Sequence, residues 1–253
     1  VLVASDSLIF TGGYRELGYW KRGEWGKLTY FSLNKLAQKY YSNNEEFWNI
    51  SMLGDTVFFH SFGTILVYNN KTIERVELPG FATTMKRYKN KILAAIRDRG
   101  IFQIEQGKVK PFITDKRLNA VTMRFIVPYK KEGLLLGTAS NGIFEWDGKN
   151  LKEWNPEWTG YFSKNELNRA HVSEQGNIVL GTIIDGVKVF NQNNNLIASY
   201  NTSNGLQNNT VLGIETDNFN NTWLALDSGI DFISGDSTQG LKVNNIPGIG
   251  SIY

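Results

Sequence analysis

A degenerate repeat of about 42 residues constrains the fold of this chain more than any other feature. Each copy has an apolar stretch, a short polar turn that ends in glycine, and a second apolar stretch. The pattern is clearest in residues 134–144, 178–187 and 223–230. The spacings between successive anchor glycines are 45, 37, 42, 44 and 43 residues, and the anchors are Gly18, Gly63, Gly100, Gly142, Gly186 and Gly229. Glycine is expected there because a tight turn between strands favours a positive φ.

A second polar turn, rich in Asn, Asp and Gly, follows most of the anchor glycines. These turns lie at 22–24, 69–71, 106–108, 147–149 and 193–195. Each unit therefore reads as strand, turn, strand, glycine turn, strand, turn, strand. Four antiparallel strands in a repeat of this length are typical of a propeller blade. The sequence predicts an all-β fold, a β-propeller of four-stranded antiparallel blades with six repeats present.

Two segments need separate interpretation within this scheme. Residues 31–41 form the one helix-like stretch, which we interpret as an excursion beside an outer strand. Residues 1–6 lack the basic start and long apolar core of a signal peptide and have the character of a strand. We therefore expect a mature piece of a protein or an excised domain.

Composition and charge narrow the functional classes. The chain has no cysteine, which excludes disulfides, thiolate metal sites and cysteine nucleophiles. Its 27 basic and 24 acidic residues give a net charge of +3, with the two signs mixed along the chain. Such a surface predicts no nucleic-acid binding by this domain. No stretch approaches the roughly 18 apolar residues of a membrane span, so we also predict no membrane contact by this domain.

The sequence contains no recognisable catalytic or metal-binding motif. The two histidines, His60 and His171, lie in different repeats without a partner at metal-ligand spacing, and we interpret them as polar strand residues. Zinc-protease, calcium-loop, phosphate-loop and nucleophile-elbow patterns are missing from the sequence. We therefore predict no catalytic residue, no metal and no cofactor, and a domain that is not an enzyme.

Residues 204–230 resemble the repeat of the two-component-regulator propeller family. That repeat enters with glycine-leucine, then Asn, then valine, and its centre reads tryptophan-leucine-glycine-threonine followed by glycine-leucine. The matching residues here are Gly205-Leu206, Asn209, Val211, Trp223-Leu224-Ala225-Leu226 and Gly229-Ile230. The opening repeats of one subgroup are similar to Gly12-Gly13-Tyr14, Leu17-Gly18-Tyr19-Trp20 and Gly26-Lys27-Leu28.

The resemblance implies a sensor domain on the periplasmic or extracellular side of a bacterial inner-membrane regulator. In this family the parent protein carries a kinase or DNA-binding output, often controls glycan use, and is compatible with self-association. Family propellers usually have seven blades, and residues 246–253 are similar to the lead-in to a further strand. We thus expect residues 1–253 to form a single propeller domain or a truncated propeller.

Three functions remain open at this point. The favoured one is a non-enzymatic sensor that binds an oligosaccharide or another small extracellular molecule. The second is a propeller enzyme, either a polysaccharide lyase or a streptogramin-type lyase. The third is a protein-interaction platform, which would show a large exposed apolar patch.

The turns between the second and third strands of the blades are the expected ligand face. In a propeller these turns lie on the same face as the connections between blades, and loops on a rigid scaffold often carry function. Arg97 and Arg99 would offer forked donors to carboxylates or sugar hydroxyls. Trp158, in the aromatic-rich segment 154–162, would add a stacking wall. The predicted ligand-binding residues are Glu16, Arg97, Arg99, Asn141, Trp158, Arg169, Asp185, Asn209 and Asp227.

Overall fold

A computed structural model describes residues 1–42, 44–105, 107–119, 121–236 and 240–249. Within these ranges, each repeat forms one four-stranded antiparallel sheet, in which strands adjacent in sequence are hydrogen-bonded neighbours. Six such sheets are described, and we call them blades 1 to 6 in chain order. The chain packs as two compact units, Val1–Val121 and Thr122–Tyr253, with three blades in each.

The first unit contains blades 1, 2 and 3. Blade 1 consists of β1 (Leu2–Ser5), β2 (Leu8–Gly13), β3 (Glu16–Arg22) and β4 (Leu28–Ser32). Blade 2 consists of β5 (Asn49–Leu53), β6 (Thr56–His60), β7 (Ile65–Tyr68) and β8 (Ile73–Arg75). Blade 3 consists of β9 (Ala82–Tyr88), β10 (Lys91–Ile96), β11 (Gly100–Glu105) and β12 (Lys108–Ile113).

The second unit contains blades 4, 5 and 6. Blade 4 consists of β13 (Met123–Tyr129), β14 (Gly133–Thr138), β15 (Ile143–Trp146) and β16 (Leu151–Trp154). Blade 5 consists of β17 (Leu167–Val172), β18 (Ile178–Thr182), β19 (Val187–Phe190) and β20 (Leu196–Tyr200). Blade 6 consists of β21 (Val211–Thr216), β22 (Thr222–Leu226), β23 (Ile230–Asp236) and β24 (Gly240–Asn245).

Short helical segments lie in the connections. The stretch 31–41 holds the helix α1 (Asn34–Ala37) and a 3₁₀ turn (Gln38–Tyr40), so the excursion after the outer strand is confirmed. The connection from blade 4 to blade 5 holds a 3₁₀ turn (Pro156–Trp158) and the helix α2 (Thr159–Lys164). Two further 3₁₀ turns are Glu24–Gly26 and Lys116–Leu118. No helix within the described ranges is long and apolar enough to cross a membrane.

Four of the six anchor glycines behave as predicted. Gly142, Gly186 and Gly229 lie between the second and third strands and Gly100 is the first residue of the third strand, with φ of +73°, +64°, +107° and +89°, respectively. The prediction is wrong for Gly18, which lies inside β3, where an added Cβ would collide with the backbone oxygen of Phe31. In blade 1 the turn instead places Arg15 at a φ of +56°. Gly63 occupies the expected turn without a positive φ.

The lead-in to a further strand, expected at residues 246–253, stays a prediction, since only its first four residues are described. Residues 246–249 follow β24 as a turn, while 250–253, and Gln106 in one predicted turn, lie outside the described residues.

The cores form where successive blades of one unit pack together. One cluster joins Phe10 and Leu17 of blade 1 to Val57 and Phe59 of blade 2. Further clusters join blades 2 and 3, blades 4 and 5, and blades 5 and 6. The second strands of blades 4 and 5 are buried on both faces because neighbours flank them, and all residues of β14 and β18 are buried. These interleaved four-stranded sheets are the blades of a β-propeller, which confirms the predicted fold class.

Candidate functional site

The turns between second and third strands, the predicted ligand face, are built differently in the two units. In the second unit the predicted residues are mostly engaged with their own blade or the next one. In the first unit several side chains at these turns remain exposed.

Asp185, in the turn after β18, is the centre of a hydrogen-bond network in the second unit. Its Oδ2 accepts from the Tyr161 hydroxyl at 2.5 Å and from Lys188 Nζ at 3.0 Å. Its Oδ1 accepts from Asn201 Nδ2 at 2.7 Å. The Tyr161 hydroxyl is the main cause that holds the pKa of Asp185 at about 2. The carboxylate therefore ties the turn to helix α2 and to the end of β20.

Arg169 and Asn209 also bind groups of their own unit. Arg169 Nε donates to the backbone oxygen of Leu212 at 2.8 Å, and its Nη1 donates to the Asn168 oxygen at 3.1 Å. Burial lowers the pKa of Arg169, with the nearby Arg124 charge acting in the same direction. Asn209 Oδ1 accepts from the Thr202 backbone N–H at 2.8 Å. Both side chains thus stabilise the junction of blades 5 and 6.

Trp158 packs into the core between blades 4 and 5. Its ring centroid lies 5.1 Å from Phe190, 5.2 Å from Tyr161 and 5.9 Å from Phe162. The aromatic segment 154–162 is largely helical rather than an open loop, because its rings cover the end of the inter-blade core. Trp158 is therefore a partly buried packing element here, and its role as a stacking wall stays a prediction.

The remaining predicted residues of the second unit are exposed. Asn141 lies in the turn after β14, where its backbone N–H donates to Thr138 Oγ1 at 2.9 Å. Asp227 lies in the turn after β22, where its backbone N–H donates to the Thr210 oxygen at 3.0 Å. Their backbones shape the turns while their side chains face solvent.

In the first unit, Glu16 serves blade 1 itself. Its Oε1 accepts from the Tyr30 hydroxyl at 2.6 Å and from Ser32 Oγ at 2.7 Å. Its Oε2 accepts from Asn34 Nδ2 at 2.5 Å. Burial, followed by this carboxylate, raises the pKa of Tyr30. Glu16 thus fixes the outer strand β4 and helix α1 to β3.

Arg97 and Arg99 are the predicted residues whose charged groups stay open to solvent in the first unit. Both lie in the turn after β10 and are exposed. The Arg97 guanidinium carbon lies 5.9 Å from the ring centroid of Phe81, and its backbone N–H donates to the Phe81 oxygen at 2.9 Å. Within the described ranges, neither guanidinium forms an ion pair. Both guanidinium groups are therefore free to contact a ligand.

Blade 2 presents two exposed aromatic rings at its own turn. Trp48 is 36% exposed and Phe62 is 57% exposed, with ring centroids 4.0 Å apart. Beside them, Glu45 Oε1 accepts from the Gly63 backbone N–H at 3.0 Å and from the Ser61 hydroxyl. The carboxylate holds the turn in shape under the two rings.

His60 supports this turn from below as a fully buried side chain. Its Nε2 donates to the Ala82 oxygen at 3.2 Å and thereby joins blade 2 to blade 3. Burial lowers the pKa of His60 to about 4, against the opposing effects of the Ala82 carbonyl and Glu45. The imidazole is therefore neutral near pH 7 and acts as a structural link.

Exposed aromatic residues are the part of the site that the sequence reasoning missed. Tyr14 and Phe81 are 61% and 59% exposed, and Tyr14 pairs with Glu46 at the entry to blade 2. Phe62 beside Gly63, and Phe81 beside Gly80, are apolar residues where a turn normally places polar ones, which is a readable signal. We define the aromatic turn surface as Tyr14, Trp48, Phe62, Phe81, Arg97 and Arg99.

Comparison with solved structures identifies the architecture. The extracellular domain described as that of a hybrid two-component system, BT3049, from B. thetaiotaomicron has a TM-score of 0.67 and 16% identity, covering 92% of this chain and 34% of that chain. Virginiamycin B lyase from Staphylococcus aureus has a TM-score of 0.72 and 12% identity, covering 97% and 83%. The WD40 propeller domain of Doa1 has a TM-score of 0.69 and 10% identity, covering 97% and 81%. The fold is a β-propeller.

The resemblance to regulator propellers is thus confirmed at the level of the fold. This chain spans about a third of the BT3049 chain that it matches. No protein-family model matches the sequence, and no curated protein sequence matches it. At identities of 10–16% the shared fold carries no function by itself, since one propeller architecture hosts many functions.

Proposed function

We propose that this propeller is a non-enzymatic ligand-sensing domain of a bacterial membrane-bound regulator, located on the periplasmic or extracellular side. Its fold matches extracellular domains described as parts of hybrid two-component and one-component systems. Residues 204–230 carry the repeat signature that resembles regulator propellers. A kinase or DNA-binding output would then belong to the parent protein.

The aromatic turn surface is the observation that supports a ligand of the oligosaccharide class. Exposed rings such as Trp48 and Phe62 offer apolar faces for the C–H faces of sugar rings. The Arg97 and Arg99 forks offer paired donors for hydroxyl or carboxylate oxygens. Apolar surface with a few directed polar groups is the usual chemistry of a small-molecule site.

A propeller lyase is the second candidate, favoured by the likeness to virginiamycin B lyase. The two candidates differ in one measurable property, which is turnover of a bound glycan or cyclic peptide. Product formation by the purified chain, tested with polysaccharides and with virginiamycin B, would replace the sensor proposal by the lyase.

The sensor proposal is tested by a glycan-array screen followed by calorimetry on the hits. The double variant Arg97→Ala with Arg99→Ala should weaken binding about ten-fold or more, because hydrogen bonds to charged groups are strong. The matched control is Arg75→Ala with Arg87→Ala, which removes two exposed arginines of blades 2 and 3 outside the surface. Its affinity should equal that of the parent chain.

Two outcomes would contradict this proposal. If the arginine double variant binds the ligand unchanged, the aromatic turn surface is the wrong site. If the chain binds no glycan in the screen, the proposed oligosaccharide-sensing role itself fails.

A further inference from the structure

A cavity of about 330 Å³ lies between blades 1 and 2, at the strand ends remote from the aromatic turn surface. Its walls come from the turn between β1 and β2, from β3, and from the end of β7. The volume falls in the range of small-molecule sites, roughly 300–1,000 Å³. The polar part of the wall consists of Ser5, Ser7, Tyr19, Lys21, Tyr68 and Asn70.

The same position between blades 2 and 3 holds a second cavity, of about 390 Å³, which serves as an internal comparison. Strand register makes the two sites equivalent. Tyr19 pairs with Phe10 across blade 1, as Val67 pairs with Phe58 across blade 2. Likewise, Tyr68 pairs with Val57 in blade 2, as Ile104 pairs with Ile92 in blade 3. Valine and isoleucine therefore satisfy the packing at these positions, and tyrosine is not required for it.

The two cavities also differ in charge. Lys21 lines the first cavity and is the charged residue among its wall residues. Glu74 and Glu105 line the second, where Asn69 stands at the position of Lys21. The first cavity is thus suited to an anion, and the second would repel one.

The tyrosines give the first cavity a preformed hydrogen-bonding wall. Tyr68 is only 6% exposed, and its hydroxyl and that of Tyr19 reach the cavity without a hydrogen bond to any other described residue. These hydroxyls are therefore available to donate hydrogen bonds to a bound ligand or to accept them from it. Burial, followed by the proximity of Tyr19, raises the pKa of Tyr68, so its hydroxyl stays protonated.

The rings that carry these hydroxyls are held rigidly. Tyr19 stacks on Phe31 at 5.1 Å with an interplanar angle of 16°, and on Tyr68 at 6.5 Å with 22°. Phe10 packs against both tyrosines, at 5.8 Å and 6.3 Å. Rigid groups lose little conformational entropy on binding, which favours affinity for a small ligand.

We propose that this cavity binds a small hydroxylated carboxylate of the hexuronate class. The ammonium group of Lys21 binds the carboxylate, and the hydroxyls of Tyr19 and Tyr68 bind ligand hydroxyls, with Ser5, Ser7 and Asn70 completing the wall. The site is separate from the aromatic turn surface and stands without the function proposed above.

The test is a titration of the full 253-residue chain with D-glucuronate, and with D-glucose as the uncharged match, by calorimetry or ligand-observed NMR. Glucuronate should bind at least about ten-fold more tightly than glucose, because the carboxylate gains a charge-assisted hydrogen bond. Lys21→Asn, which copies the equivalent residue of the second cavity, should abolish this preference. Tyr68→Phe should weaken both sugars about three- to ten-fold.

Two control variants test where on the molecule glucuronate binds. Asn69→Ala, in the second cavity, and the Arg97→Ala with Arg99→Ala double variant should both leave glucuronate affinity unchanged. The proposal is overturned if glucuronate does not bind, if it binds no tighter than glucose, or if Lys21→Asn and Tyr68→Phe bind it as the parent chain does. Loss of glucuronate binding in the arginine double variant would place the anion on the turn surface instead and would equally overturn the cavity.

Discussion

The two units carry similar residues at and near the turns between second and third strands, but most of these residues are engaged in contacts in the second unit, whereas several are exposed in the first. In the second unit, Asp185 and Arg169 form hydrogen bonds within the unit, and Trp158 packs against a core. In the first unit, Arg97 and Arg99 remain open beside exposed rings. A polar residue before a turn glycine is therefore equally suited to stabilising a blade by hydrogen bonds and to binding a ligand. The neighbouring connection decides which role it has.

The connections between blades explain the difference. Helix α2 lies between blades 4 and 5 and brings Tyr161 to Asp185. The connection from blade 2 to blade 3 has no helix among its described residues 76–81, and its Phe81 ring stays 59% exposed beside Arg97. A helix over a turn satisfies its polar groups, whereas a short connection leaves them in solvent.

The largest expected contrast is between two tryptophans. Trp158→Ala should destabilise the second unit by about 3–4 kcal/mol, because it empties a packed aromatic core. Trp48→Ala should cost less than about 1 kcal/mol, because the side chain is partly exposed, yet it should weaken glycan binding. Urea denaturation followed by circular dichroism, with calorimetry for binding, measures both. Equal losses of stability would remove the distinction between the units.

The glycines of the equivalent turns give the next effect. Gly186→Ala should cost about 3 kcal/mol, since Gly186 has a φ of +64° and an added Cβ would collide with the backbone oxygen of Tyr200 and lie 2.8 Å from Leu206 Cδ1. Gly63→Ala should cost less than about 1 kcal/mol, because Gly63 has no positive φ and the atom nearest to an added Cβ, at 2.9 Å, is a side-chain oxygen of Glu45 rather than backbone. Chemical denaturation of the two variants checks this order, and a reversed order would refute it.

The pH dependence of the stability of the first unit should reflect the protonation of His60. Its pKa in the folded chain is about 4, below the value of 6.5 for an unperturbed histidine. The contribution of neutral His60 to the free energy of unfolding is therefore complete above pH 6.5. About 2–3 kcal/mol of it is lost as the pH falls towards 4. Thermal unfolding from pH 7 to pH 4 measures the loss. His60→Asn should flatten this part of the profile, and an unchanged slope in that variant would exclude His60 as the cause.

The smallest effects should distinguish charged residues that stabilise the fold from charged residues that are available to bind a ligand. Asp185→Ala should cost about 2 kcal/mol, because it leaves three donors without their acceptor. Arg97→Ala with Arg99→Ala should change the free energy of unfolding by less than about 0.5 kcal/mol. A stability loss in the arginine double variant similar to that of Asp185→Ala would show that these arginines are structural as well.

Much of the architecture could be predicted from the sequence because it depends on local chemistry. Alternating apolar residues and turn residues at a regular spacing specify four strands per repeat, and the four anchors from Gly100 to Gly229 adopt the expected positive φ. Gly18 shows the limit of the pattern. It has the expected spacing but lies inside β3, where it permits a close backbone approach.

The candidate site was less predictable, since exposure depends on contacts between segments far apart in sequence. Arg97 and Arg99, predicted as ligand-binding residues, are exposed, and their binding role stays a prediction, while the exposed rings of Phe62 and Phe81 were missed. The packing of Trp158 could not be predicted either, because an aromatic-rich segment has the same composition in a core as on a binding surface.

The sequence by itself determined the repeat, the four-stranded blade and the positions of most turns, because strand periodicity and turn chemistry act over a few residues. Only the tertiary structure decided which turn residues are free. Asp185 is satisfied by Tyr161 and Asn201, and Tyr19 meets Tyr68 across two blades. Such partners are brought together by the packing of one blade on the next, and hydrogen-bond satisfaction and burial exist only once that packing has formed.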